Sequence, residues 1–541
     1  MKSSSFNFCF FRFYALPLGI FAFLFLFVFT ACRTESKTDM RTLAPAETLI
    51  YLEANDIEKT LSALTESRAF RELAKEKSDF SFLSGTQIAV AVTGFEASEK
   101  PLTDEHSVIN FKPRFVAVAD THSLERTNLS FAENQLNEFA QGIYDDAKME
   151  KSEKHGAQLF TWTAGEDRRL FAAVSENLIY FGNDEPALEK ALAVRRGEAE
   201  SIAANENLAR EREKAADSLA FGFVTAEGAA QIGNFVSLAA AKNSSEDDAA
   251  QSFIARVLPA ILQKTVREVS WIARKNERGI EDAFFIKTAP EVAEIFRETL
   301  KAGSEGDFQK AEFLPPTVYG FTRYNLQNPQ VAWRSVLLTA AKQTDTVSGE
   351  ILLQFSGAIF APYGVSDAEG FLSAAGGEIV TAKFDEDGEK TVVIADVKDA
   401  EKLKKTIAGE INFNSPPEKS GNAEIWKSGD KTLAAAFIEN KLILGETESV
   451  LECLRAKEGS NLRQNEMLRF AGVQPAAFSF SKDSETVAKI VEILGEPKAE
   501  KQNYDGFYTT ETVFSNGGFE RKTVSDFGII GAILENLEES K

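Results

Sequence analysis

The chain has 541 residues, of which 44% are hydrophobic and 26% charged, and its net charge is −22. That length exceeds what one hydrophobic core usually serves, so two or more domains are expected. The acidic balance excludes a general affinity for nucleic acid or anionic lipid headgroups, both of which need a basic face.

The chain opens with Lys2 and Arg12, then an almost unbroken apolar run from Tyr14 to Phe29, then Thr30-Ala31-Cys32. This is the charged, apolar, small-residue order of a secretory signal, and the run is short for a spanning helix. Its end resembles a bacterial lipoprotein signal, in which small residues precede an invariant Cys. The resemblance implies that residues 1–31 are removed and that Cys32 carries lipid. Phe29 departs from the usual Leu. Arg33, where Asp would favour the inner membrane, implies the outer one. The alternative is an uncleaved N-terminal anchor, and both place the remainder outside the cytoplasm. Without Lys2 and Arg12 that remainder carries −24, so attachment rests on lipid rather than on a basic face. With Cys9 in the signal and Cys32 lipidated, Cys453 stands alone and no intramolecular disulfide is expected.

Residues 32–43 read as a polar tether. Strands are expected at Thr48–Leu52, Gln87–Val92 and Phe115–Ala119, with Asp56 capping a helix and a second helix near Leu129–Phe139. Phe171 to Leu192 then reads strand, tight turn, strand, glycine, helix. Asn177 is expected to take the turn's positive φ, Gly182 to end the second strand, and Asp184 to cap the helix. The block returns at Ala434 to Arg455, identical at eight of 22 positions, with Asn440, Gly445 and Thr447 at the corresponding places. Ordinary residue frequencies would give one or two identities. Leu219–Val224, a helix through Phe253–Leu262, and the hairpin Arg267–Lys287 close the first half.

The second half repeats this order. Leu314–Tyr319 answers Ala44–Tyr51, Gly376–Ile379 answers Gly85–Ile88, and Val392–Asp396 answers Val116–Asp120. Ala477–Phe480 answers Ala220–Phe223, and a hairpin turning at Ser515–Gly518 comes last. The expectation is α+β: two tandem copies, 44–300 and 312–541, of a mostly antiparallel sheet with helices on it, joined by a linker at 301–311. The halves would cover each other's open face or line a groove between them. Eighteen extra residues in the first half fall around Asn243–Asp248 and its flanking helices.

Pro45 and Thr48, Gly376–Glu378, Ala395-Asp396 and the repeated block followed by Asn205-Glu206 or Asn465-Glu466 resemble an uncharacterised bacterial envelope family, filed as a domain of unknown function. The resemblance covers most of 44–541. It implies a fold and an envelope setting but no activity.

No nucleophile elbow, Walker loop, dinucleotide fingerprint or paired-histidine zinc motif is present, and no cofactor or metal is expected. Asp385–Gly388 has part of a calcium-loop pattern, but Lys383 occupies the place of the first ligand, which favours a hairpin tip. Asp120 and His122 are candidates for a base and its orienting partner, against a plain strand end. His106, His122 and His155 all read as solvent-facing. Cys453 reads as a helix-flank residue rather than a nucleophile, and Trp162 and Trp426 as core rather than ligand stackers. Three functions stay open. A lipid-anchored binding module, reaching envelope proteins, predicts an apolar groove or patch. A hydrolase with a site assembled from distant residues predicts converging acids or His. A carrier of an apolar ligand between the halves predicts an enclosed apolar cavity.

Overall fold

A computed structural model describes residues 37–538 apart from 102–106, 145, 166–167, 245–247, 304–307, 465–467, 469–474, 499–503 and 505. The fold is α+β, built on one large antiparallel sheet. Its first ten strands are β1 (Ile50–Ala54), β2 (Gln87–Pro101), β3 (Ser107–Asp120), β4 (Lys148–Lys154), β5 (Ala157–Ala164), β6 (Arg168–Ser175), β7 (Leu178–Gly182), β8 (Ala220–Val224), β9 (Val266–Lys275) and β10 (Ile280–Thr288). The next ten are β11 (Gly320–Asn325), β12 (Ala375–Lys383), β13 (Thr391–Val397), β14 (Glu418–Ser420), β15 (Ala423–Lys427), β16 (Leu433–Ile438), β17 (Lys441–Glu446), β18 (Ala477–Lys482), β19 (Phe507–Ser515) and β20 (Gly518–Ser525).

The first ten pair in the order β4-β5-β6-β7-β3-β2-β1-β8-β9-β10. The second ten pair as β14-β15-β16-β17-β13-β12-β11-β18-β19-β20. The two series meet at β10 and β20, from Ile280 opposite Ser525 to Lys287 opposite Gly518. The halves therefore join edge to edge and do not cover each other face to face. Each series would otherwise end on a strand with open N–H and C=O groups, and pairing those edges satisfies both.

Helices cover both faces of the sheet, which explains the continuous apolar runs in β2 and β3. Ile88, Val90 and Val92 enter one core while the alternate Ala89 and Ala91 enter another. In the second half Ile379 and Val380 divide in the same way. The core under β1 and β2 is shared between halves. Val487, Ile490 and Leu494 of helix Ser484–Leu494, with Phe527, Ile530 and Leu534 near the C-terminus, fill it beside Ile57, Leu61 and Trp271. At roughly 1.5–3 kcal/mol for each large apolar side chain, this exchange ties the halves together strongly. The short strands Ala74–Lys77 and Gly495–Pro497 form a second link.

The repeated block folds as expected, with two corrections. Glu176 and Glu439, each at φ 55°, take the left-handed turn position, not Asn177 and Asn440. The Asn carbonyls are pinned by N–H groups at the end of the neighbouring strand, from Thr121, one residue past it (3.1 Å), and Val397, its last residue (2.7 Å), which shifts the strained position one residue earlier. Asp184 caps the first helix through Ala187 N–H, but Glu446, not Thr447, caps the second, accepting from Glu448 and Ser449. A Cβ on Gly182 would collide with the Phe115 carbonyl oxygen, and one on Gly445 with that of Thr391. Both glycines let the second hairpin strand approach its neighbour.

The tether expected at 32–43 is shorter than its sequence suggests. Met40–Leu43 forms a 3-10 turn with Met40 and Leu43 buried, and Thr38 bonds Gln87 and Asp120. The linker behaves alike. Gln309–Phe313 forms a 3-10 turn, and Lys310 pairs with Asp396 (2.7 Å) and Glu378 (3.5 Å). Both arms thus dock on the same two strand ends of their half, drawn there by buried apolar side chains and a fixed acid. In the first half the extra length between β8 and β9 forms a pair of long helices, Ala226–Ser244 and Asp248–Thr265.

Candidate functional site

The most unusual surface lies where the sequence reading singled out nothing, between β11 and β12. Helix α1 (Pro329–Lys342) is capped by Asn328, which accepts from Val331 N–H, and begins with Pro329, whose missing N–H costs nothing there. It buries Ala332 and Thr339, and Trp333 meets Phe360 edge to face at 5.1 Å. Its outer side mixes exposed Val331, Val336 and Leu338 with Arg334 and Lys342.

Helix α2 (Thr346–Phe355) is inverted. The residues it buries are Ser348 and Gly349, and a Cβ on Gly349 would stand only 3.0 Å from the Ala341 carbonyl of α1. The close approach of the two helices turns the large side chains outward. Val347 is 63% exposed and Phe355 64%, with Leu353 also in solvent. The 3-10 turn Ser356–Tyr363 continues the patch through Ile359, which is 53% exposed. Residues 329–363 carry only four charges, Arg334, Lys342, Asp345 and Glu350, in a chain where 26% are charged.

A groove of about 570 Å³ runs between α1, the 3-10 turn and helix α3 (Ala368–Ala374), with Trp333, Leu337, Leu338 and Leu353 on its walls. Arg334 closes its rim with a two-pronged bond to Glu369, at 3.0 and 2.6 Å. The helix pair of the first half supports this region: Arg256 reaches Ser348 Oγ at 3.4 Å, and Lys264 Nζ donates to the Gln343 carbonyl at 2.6 Å. The site thus offers apolar contact area with a polar rim, the anatomy of a docking surface. Low charge density and apolar residues on both sides of a helical stretch were the available signals.

The residues singled out by sequence do not converge. Cys32 and His106 lie outside the described residues. His155 is exposed at the β4–β5 turn. His122 is not the solvent-facing residue expected: its side chain is 13% exposed, with Nδ1 3.3 Å from Asp120. Asp120 is fully buried and already accepts from Thr38 Oγ1, Asn177 Nδ2 and His122 N–H. Its role is to fasten the N-terminal arm and the repeated hairpin to the end of β3. Cys453 is a core residue rather than a helix-flank one, and burial pushes its thiol well above the usual range, away from thiolate chemistry. Trp162 and Trp426 are both core. Asp385 accepts from Lys390 N–H in the β12–β13 turn, and among the described residues no group of acids, His or Cys is placed to hold a metal. Asn205 caps the helix Glu206–Glu213, which explains the first Asn-Glu pair. Its counterpart Asn465 lies outside the described residues.

Among the described residues no helix is long and apolar enough to cross a membrane. No family model matches the chain, and no curated protein matches it. Among solved structures, crystal form IV of TP0453 aligns over 49% of this chain and 86% of that one, at 10% identity and a TM-score of 0.21. A likeness at that score carries no argument about fold or role.

Proposed function

We propose that this is a lipid-anchored protein of the bacterial envelope, made of two copies of one α+β unit, which docks an apolar envelope component on the surface of α1 and α2. The observation that carries the docking reading is the inverted helix α2, which buries Ser348 and Gly349 and exposes Val347 and Phe355. Exposing such side chains has no benefit for folding, and a partner that covers them would recover the burial energy. The test is photo-crosslinking in intact envelopes from positions 338 and 355. Phe355→Asp in the chain carrying the crosslinker at 338, and Leu338→Asp in the chain carrying it at 355, should remove the crosslinked species while shifting the unfolding midpoint little, since both sites are solvent-facing. Unchanged crosslinking in these variants would sink the assignment.

Support for the duplication comes from the matched strand orders, the arms docked on equivalent strand ends and the shared glycine contacts. Support for the anchor comes from the apolar run ending in Thr30-Ala31-Cys32, with Arg33 favouring the outer membrane and a chain facing the periplasm. The Cys32→Ala chain should accumulate unprocessed and lose acyl-dependent partitioning into detergent. Normal processing and acylation in that variant would remove the anchor reading and leave the docking one standing.

A further inference from the structure

The helical segment between β11 and β12 has a counterpart between β1 and β2, and the two are finished differently. Residues 57–86 carry ten charges in 30 positions, whereas residues 329–363 carry four in 35. In the counterpart, helices Ile57–Thr65 and Arg68–Leu73 bury Ile57, Leu61, Leu64 and Phe70 and turn Lys59, Glu66, Arg68, Arg71 and Glu72 to solvent. A charged outer face therefore suits this place in the fold, and the bare face of α2 is not a requirement of folding.

That bare face is continuous. From Ile351 to Ser366, 16 residues in succession carry no charge. Helix α2 ends at Phe355 and the 3-10 turn begins at Ser356, so one helical ridge runs on to Tyr363. Leu353, Phe355, Ala358, Ile359, Ala361 and Pro362 are exposed along it. Gly364, at φ 74°, ends the ridge and donates its N–H to the Ala361 carbonyl at 2.9 Å. Helical backbone bonds within itself, so such a ridge can enter an apolar medium where an irregular loop would strand its peptide groups.

Charge and reach name the medium. A protein partner is selected by complementary charge at a rim, and a layer of neutral headgroups needs none. The four charges of residues 329–363 sum to zero in a chain of −22. This is the part of the surface that a neutral membrane meets at no electrostatic cost. Lys37, the first described residue, follows Cys32 by five positions, and five extended residues reach about 17 Å. An anchored chain is thus held beside lipid, and the ridge meets it at high effective concentration.

We propose that the occupant of the docking surface is the lipid bilayer itself, a reading that rests on the docking function above. The ridge of α2 and the following 3-10 turn sinks into the boundary between headgroups and acyl chains of a neutral phospholipid. It is a second membrane contact beside the N-terminal lipid, and it lays the protein down on the surface.

The experiment reconstitutes the full chain, purified from envelopes, into vesicles of zwitterionic phosphatidylethanolamine with brominated acyl chains, which quench tryptophan at short range. Phe355→Trp puts the probe on the ridge. Val513→Trp puts it at a 43% exposed strand position opposite Glu520. The emission added by Phe355→Trp should fall about twofold or more against plain lipid, and high salt should leave that quenching in place, because apolar insertion carries no screened term. The emission added by Val513→Trp should not change. Adding Val347→Asp and Ile359→Asp to Phe355→Trp should restore the emission with the melting transition unmoved, since both positions are more than half exposed. Unquenched Phe355→Trp, or quenching that persists in the folded Asp variant, overturns the lipid occupant. If the crosslinker at 355 then still captures a protein in intact envelopes, the docking function stands with a protein on the ridge; if it captures nothing, both fall.

Discussion

Arg278→Ala should lower the unfolding free energy by about 3–5 kcal/mol, read from denaturant titration. Arg278 stands in the tight β9–β10 turn, aimed by Asn276, whose side-chain oxygen accepts from Arg278 and Gly279 N–H at 2.9 Å each. It crosses to the second half, donates to Asp526 at 2.8 Å and to the Phe507 carbonyl at 3.2 Å, and lies 3.4 Å above the Phe507 ring. The two charged side chains are 4% and 1% exposed, so removing the cation strands a carboxylate away from water. Tyr504 would remain as a donor to Asp526, which limits the loss without cancelling it. The paired change Arg278→Met with Asp526→Leu removes both charges and should recover most of the stability. A cost below about 1 kcal/mol for the single change would show that the seam does not depend on this pair.

Gly182→Ala and Gly445→Ala should each cost on the order of 3 kcal/mol, near the upper range for overpacking, since each new methyl group meets a backbone carbonyl that cannot turn aside. The two sites are matched by sequence, and each clash is with the strand that flanks the hairpin. Both losses are read from the same titration, and Gly445, at φ 155°, is expected to lose more than Gly182. Gly142→Ala is the contrast. It lies in the helix Glu125–Ile143 with nothing within 4 Å of a new Cβ, and helix propensity predicts a gain of up to about 1 kcal/mol. A negligible loss at either glycine would count against the two halves being built alike.

How much of the architecture could be read beforehand depended on the range of the interaction. The repeated hairpin, its glycine and the Asp184 cap were legible because turn, cap and alternation signals lie within a few residues of what they specify. The error over Asn177 had a longer origin: its carbonyl is claimed by Thr121, 56 residues away. The arm at Met40–Leu43 read as tether because its few apolar residues gain their meaning only against a core formed much later in the chain. The docking surface was missed for the opposite reason. An apolar stretch reads as buried, and only three-dimensional packing reveals that Ser348 and Gly349 face inward while Phe355 does not.

By itself the sequence determined the α+β class, the strand-turn-strand-glycine-helix order of the repeated block and the acidic net charge. These follow from local sterics, residue periodicity and composition, which need no distant contact. Only the tertiary structure decided that the two series of strands share one sheet through β10 and β20, and that Arg278 and Asp282 of one half hold Asp526 and helix Gly528–Glu538 of the other. It alone decided which apolar faces are covered. Edge pairing and burial depend on residues more than 200 positions apart, and the free energy of such contacts is set by what meets them in space.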